Sequence, residues 1–139
     1  MNYLLDTHAF IWSLISPGKL SLKTKAIIKS KDNVSWVSAI TFWEISLKYE
    51  IGKLDLKGTK PDELYKYATS AGFEIEDLQA ETAATFYKLR RLRNEQSSSS
   101  NKDPFDLMLA WQAITLDYTL VTNDSGFADY KDYGLKTVW

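Results

Sequence analysis

The sequence contains no cysteine. Disulfides, zinc–thiolate sites and thiol catalysis are therefore excluded. Its one histidine, His8, rules out a multi-histidine metal site. No apolar run approaches the roughly 20 residues that a membrane-spanning helix needs. The start, Met1-Asn2-Tyr3, lacks the basic region and cleavage site of a signal peptide. The expectation is a cytoplasmic protein with no membrane association. Charge of one sign is also lacking: 17 Lys and Arg against 18 Asp and Glu leave a net charge of −1. Broad attraction to nucleic acid is thus excluded, though a local basic patch is not. The 6 glycines are scattered, so no glycine-rich phosphate loop exists, and no Ser-His-Asp arrangement is legible.

What is present is an ordinary globular composition, with 45% hydrophobic and 25% charged residues among 139. That length is expected to form one domain, residues 1–139. The 5 Trp, 8 Tyr and 6 Phe argue against disorder. Short β-rich runs alternate with helical periodicity. Tyr3 to Leu5 reads as a strand, followed by a helix with Phe10, Ile11, Leu14 and Ile15 on one side. Ser16-Pro17-Gly18 stops it. Ser21 to Lys29 reads as a short helix with Leu22, Ala26 and Ile27 inward. Val34 to Val37 is a second strand, and Ser38 an N-cap for a helix through Tyr49. Pro61, Asp62 and Glu63 open a further helix. Phe73 to Ile75 is a third short strand, Ala80 to Arg93 and Pro104 to Leu116 are helices, and Thr119 to Thr122 and Leu135 to Val138 are strands. The β-α-β alternation predicts a parallel sheet with helices on both faces. Asn94 to Lys102, with Ser97 to Ser100 all serine, reads as a loop within the domain.

Four acids stand out by position. Asp6 ends the first strand, Asp124 follows the fourth, Asp106 lies in the first turn of the helix opened by Asp103-Pro104, and Glu44 is about two turns into its helix. Ligands of open parallel sheets bind outside the carboxyl ends of the strands. Acids gathered there repel one another unless a cation holds them, and hard divalent cations prefer oxygen ligands. A metal-dependent phosphoryl-transfer or hydrolysis site is the expectation. Each acid also has an ordinary reading. Asp6 and Asp103 suit N-caps, Asp106 suits a first helical turn, and Asn123-Asp124-Ser125-Gly126 is common turn chemistry. Glu44 has Lys48 four residues on, the favourable order for a helix-surface ion pair. It also shares a stripe with Ile40, Leu47 and Ile51, where a carboxylate needs a partner: Lys48, a metal, or both. The run Lys88, Arg90, Arg91 and Arg93, with Lys102 beyond it, is the best candidate for binding RNA or a protein partner, against the commoner reading of a solvated helix face.

Taken in order, Leu4-Leu5-Asp6-Thr7-His8-Ala9-Phe10-Ile11-Trp12, Trp43-Glu44-Ile45-Ser46-Leu47-Lys48, Asp103-Pro104-Phe105-Asp106 and Leu120-Val121-Thr122-Asn123-Asp124 resemble PIN-domain proteins of the VapC toxin type. The resemblance runs through essentially the whole chain. It implies a three-layer α/β/α PIN-like fold with a central parallel sheet. It also implies a magnesium- or manganese-dependent endoribonuclease that pairs with a small antitoxin and forms a homodimer. Asp6, Glu44, Asp106 and Asp124 match the catalytic quartet of that pattern, and Asp103 a nearby accessory acid. Asp6, Asp106 and Asp124 are expected to ligate the metal, with Asp6 central. Glu44 would bind a second ion or position the water. Lys48 would hold Glu44 or touch a phosphate, and the hydroxyls of Thr7 and Thr122 would add supporting hydrogen bonds. The chain departs from the pattern at Leu107, where an Arg often stands, and in its serine-rich loop. Two alternatives stay open: a structure-specific DNA nuclease using the same acids, and a catalytically silent PIN-like binding module.

Overall fold

Runs of Leu, Val and aromatic residues a few residues long, each followed at once by a capping side chain, give this chain strands that stop abruptly and turn into helices. A computed structural model describes residues 1–89 and 103–139. Strand β1 (Asn2–Leu5) leads into helix α1 (Thr7–Ile15) through Asp6, and a 3-10 turn at Pro17–Lys19 precedes α2 (Leu22–Lys29). Then come β2 (Val34–Ser38), α3 (Ala39–Glu50), α4 (Pro61–Ser70), β3 (Glu74–Glu76) and α5 (Ala80–Thr85). Beyond the undescribed residues lie α6 (Pro104–Leu116), β4 (Thr119–Val121), a 3-10 helix (Ser125–Tyr133) and β5 (Lys136–Val138).

The five strands are all parallel, in the order β3-β2-β1-β4-β5. Chain order therefore runs outward from β1 to β3 on one side, then returns to place β4 against the other side of β1. The reversal falls between β1 and β4, paired through Leu4↔Leu120 and Leu5↔Val121. A crevice opens at such a switch point because the two connections leave toward opposite faces. Asp6 lies on one side of it and Asp124 on the other.

Strand side chains alternate between the two faces. Tyr3, Leu5, Val37 and Val121 pack with Phe10 and Ile11 of α1, Ile27 of α2 and Leu64 and Ala68 of α4. Leu4 and Leu120 pack with Leu109, Ala110 and Ala113 of α6 and Phe127 and Tyr130 of the 3-10 helix. Helix α3 reaches both cores, with Ile45 in the first and Ile40 in the second. The result is the expected three-layer α/β/α architecture. Among the described residues, no helix is long and apolar enough to cross a membrane.

Several local expectations change. In α2 the inward residues are Thr24 and Ile27, whereas Leu22 is 84% exposed and Ala26 is exposed. An eight-residue helix with a narrow buried face leaves its first apolar residue outside. On α3, Ile40 and Glu44 are buried, but Leu47 and Ile51, toward its C-terminal end, are exposed. The helix expected over Ala80 to Arg93 breaks at Phe86, resumes over 87–89, and then passes out of the described residues.

Candidate active site

Three of the acids owe their positions to helix starts. The first turn of a helix has free N–H groups that a side-chain oxygen can accept. Asp6 accepts the Ala9 N–H at 2.7 Å, and its own N–H donates to the Val121 carbonyl at 3.0 Å, extending the β1–β4 ladder by one residue. Asp103 accepts the Phe105 N–H at 2.9 Å, which fixes the first turn of α6 and with it Asp106. Asp124 accepts the Gly126 N–H at 2.8 Å, while its own N–H donates to the Thr122 hydroxyl oxygen at 3.0 Å. The Thr122 hydroxyl also lies near enough to the Asp6 carboxyl to lower its pKa.

Glu44 is held differently. Its side chain is buried, with a relative exposure of 2% for the residue, and both carboxylate oxygens have donors. The Thr7 hydroxyl donates to Oε1 at 2.6 Å, and the Lys48 ammonium donates to Oε2. Lys48 also lies 3.8 Å from the Asp103 carboxylate, so it links α3 to the start of α6. The helix carrying both residues is capped by Ser38, whose hydroxyl accepts the Ile40 N–H at 3.0 Å and donates to the buried Gln112 side chain. In the sequence Gln112 reads only as one polar residue on the apolar face of its helix, and its role in seating α3 is not visible there. A Gln among Leu and Ala at helical spacing is the signal that marks such a buried partner.

The acids lie close enough to act on one another's charge. Burial, and then the charges of Asp103, Glu44, Asp124 and Asp6, push the half-buried Asp106 carboxyl up to about 7. Burial also raises the pKa of Asp6, partly offset by the Thr122 and Ala9 hydrogen bonds and the nearby charge of His8. For Lys48, burial works against the charged form, but Glu44, Asp103 and Asp106 more than offset it and hold its pKa above the ordinary lysine value. Asp124 is exposed at the rim. His8 is exposed, with its ring 5.6 Å from that of Trp12.

The expected residues Asp6, Glu44, Asp103, Asp106, Asp124, Thr7, Lys48 and Thr122 thus meet at one edge of the sheet. Leu107, the departure noted from sequence, is buried in the α6 core rather than facing this edge. Lys88 is exposed on the 87–89 helical stretch, whereas Arg90, Arg91, Arg93, Lys102 and the serine-rich segment lie outside the described residues. A cavity of about 400 Å³ opens on the Asp124 flank, lined by Thr122, Asn123, Ser125, Lys131 and Trp139 among others. A cleft of similar size between α3 and α4, lined by Phe42, Pro61 and Tyr65, touches none of the four acids.

The donor set fits a hard divalent cation: only oxygens, most of them carboxylate, with one carboxyl driven to about 7 by burial and negative neighbours. Among the described residues no three Asp, Glu or His side chains are placed to hold a metal ion as they stand. The carboxylates act on one another's charge.

The family model described as PIN domain matches residues 3–133. Among solved structures, the chain is similar to VapBC2 from Rickettsia felis bound to a DNA fragment from their promoter, at 24% identity and TM-score 0.71, covering 99% of this chain and 98% of that one. It is similar to VapBC-1 from nontypeable Haemophilus influenzae at 17% identity and TM-score 0.70, covering 99% and 97%. VapBC-5 from Mycobacterium tuberculosis, a member of the VapBC family of toxin-antitoxin systems, is similar at 17% identity and TM-score 0.62, covering 99% and 95%. At these identities the likeness is one of fold. No curated protein matches the chain.

Proposed function

The chain belongs to the PIN-domain family, and from that membership we propose that it is a magnesium- or manganese-dependent endoribonuclease, the toxin of a toxin–antitoxin pair. The observation that carries this reading is the placement of the acids: Asp6 and Asp124 follow β1 and β4 on either side of the sheet's switch point, and Asp106 lies in the first turn of α6 beside them, its carboxyl raised by burial and acidic neighbours. A crowd of acids in a crevice calls for a multivalent cation and suits phosphodiester chemistry. The reaction consumes one water. Its oxygen bonds to phosphorus, the bond from phosphorus to the leaving oxygen breaks, one of the water's protons ends on that oxygen, and the other stays on the new phosphate or passes to solvent.

Asp6, Asp106 and Asp124 would hold the metal, with Asp6 central because the Ala9 N–H orients it at the end of β1. When bound, a divalent ion activates the water and neutralises charge on the phosphate and leaving oxygens. Glu44, oriented by the Thr7 hydroxyl, would bind a second ion or position the attacking water. Asp103 fixes the start of α6 and contributes negative potential. One similar structure is of a toxin-antitoxin system, which supports a small antitoxin as partner. Exposed aromatic residues, including Trp43 at 62%, Tyr65 at 49% and Tyr87 at 62%, offer apolar surface for that partner and for a homodimer. We take residues 1–139 as one domain and the protein as cytoplasmic.

Incubating purified protein with RNA and with DNA, in magnesium, manganese or chelator, tests the reading. RNA cleavage only with metal is the expected result. Cleavage of DNA instead makes the protein a DNA nuclease, and cleavage of neither makes it a silent binding module. Neutralising Lys88, Arg90, Arg91 and Arg93 together is expected to weaken RNA or antitoxin binding and to flatten its salt dependence. For RNA the log–log slope should fall by roughly 0.7 for each single-strand phosphate that is no longer neutralised. Titrations between low and moderate salt measure this, and an unchanged slope for both ligands assigns the run to a solvated face.

A further inference from the structure

Lys48 stands where a cation is wanted. Its ammonium donates to Glu44 Oε2, lies 3.8 Å from Asp103, and feels the charge of Asp106. The two ends of the Glu44–Lys48 pair differ in freedom. The Glu44 side chain is 3% exposed and the Lys48 side chain 33%. A carboxylate that deep needs donors for both oxygens, and the Thr7 hydroxyl and the Lys48 ammonium supply them. A lysine is a compact charge on a flexible stem, and this one keeps a route to solvent that Glu44 lacks.

We propose that Lys48 is a built-in competitor of the divalent ion: its ammonium occupies the Glu44 side of the acid edge in the metal-free protein and is released when an ion takes that place. The proposal rests on the reading of the acids as a metal site. An ion approaching Glu44 brings two positive charges to a spot that already holds one. Both cannot remain within a few ångströms of each other and of the same carboxylate oxygen without strong repulsion. The ammonium has somewhere to go, so it leaves. Lys48 thereby serves two ends. It orients Glu44 before the metal arrives, and it lowers the affinity with which Glu44 joins the ion's ligands. Lys48 is a positioning residue in this scheme, acting through Glu44.

The test is calorimetric titration of the metal-free protein with manganese. Lys48→Met is expected to bind manganese about tenfold tighter than wild type, because a neighbouring positive charge is gone. Its metal-free form should melt lower, since Glu44 loses its partner. Lys48→Arg should return the affinity to near the wild-type value. A purely structural ion pair would give the lower melting point without the tighter binding. Manganese affinity in Lys48→Met equal to or weaker than wild type overturns the proposal. Wild-type protein supplies a second reading that is independent of whether that variant folds. In nitrogen-15 spectra of lysine ammonium groups, the Lys48 signal should be protected from exchange in chelator and lose protection as magnesium is added. An unchanged signal at magnesium saturation overturns the proposal while leaving the metal site intact. If neither wild type nor Lys48→Met binds manganese, the metal reading itself fails and this inference falls with it.

Discussion

Asp6→Asn is expected to abolish metal-dependent RNA cleavage, by at least about a thousandfold, in a protein that remains folded. Removing one carboxylate from a metal shell removes charge stabilisation worth several kcal/mol in the transition state, and each 1.4 kcal/mol is about tenfold in rate. Folding should survive for two structural reasons. Asn caps a helix about as well as Asp, so the Ala9 N–H keeps an acceptor. The native site also disfavours the Asp6 charge, since burial raises its pKa, so a neutral side chain costs little there. Cleavage rates beside a thermal melt check both halves. Full activity in Asp6→Asn would remove Asp6 from the metal shell.

The second large effect concerns pH and metal together. Asp106 has an ordinary value near 4 when unfolded and about 7 when folded. The folded protein therefore holds this proton more tightly than the unfolded chain. Its stabilising contribution is complete below about pH 4 and is lost as pH climbs through about 7. Asp6, shifted in the same direction, adds to the trend. In chelator the melting temperature should thus fall between pH 4 and pH 7. Allowing for the partial exposure of Asp106, the loss is about 1–2 kcal/mol, or several degrees. Manganese should reverse the fall, because an ion binds the ionised carboxylates and stabilises the folded state by mass action. Its effect should be small near pH 5 and large at pH 7.5. Asp106→Asn should flatten the metal-free pH trend and blunt the manganese shift. Asp62→Asn, beside the cleft between α3 and α4, should do neither. Equal manganese shifts in the two variants and wild type would leave Asp106 as a residue of the helix start alone.

The parts of this architecture that are legible in the sequence are those set by neighbours along the chain. Strand runs, caps at Asp6, Ser38 and Asp103, and the i to i+4 relation of Glu44 and Lys48 all depend on residues within a turn or two. Hydrophobic stripes on short or projecting helices are less legible. Leu22, Leu47 and Ile51 look inward by spacing, yet they are 84%, 39% and 54% exposed, because what a helix end packs against is decided by tertiary structure and not by the spacing. Interactions across layers leave almost no trace. Ser38 and Gln112 are separated by 74 positions, and only the packing of α3 on α6 brings them together. The approach of Lys48 to Asp103 has the same origin. The acids themselves stand out by position, but their mutual charge effects belong to the parallel sheet, whose strand order no single motif encodes.

Asp6, Asp103 and Asp124 are helix caps, and if the proposed site is right their second duty there has a genetic corollary. Every Asp codon becomes an Asn codon by one G-to-A change, so a single transition can disarm Asp6 or Asp124 while leaving its helix cap and outer surface in place. A harmful nuclease can in this way acquire an allele that is inert yet shaped to be recognised by the same protein partner. The identical transition at Glu44 gives lysine. That would set a second ammonium, in a buried position, beside Lys48 and leave the Thr7 hydroxyl without its acceptor. Alleles at this position are expected to be lost by misfolding. Natural inactivating changes should therefore accumulate as folded proteins at the capping aspartates and as absent protein at Glu44.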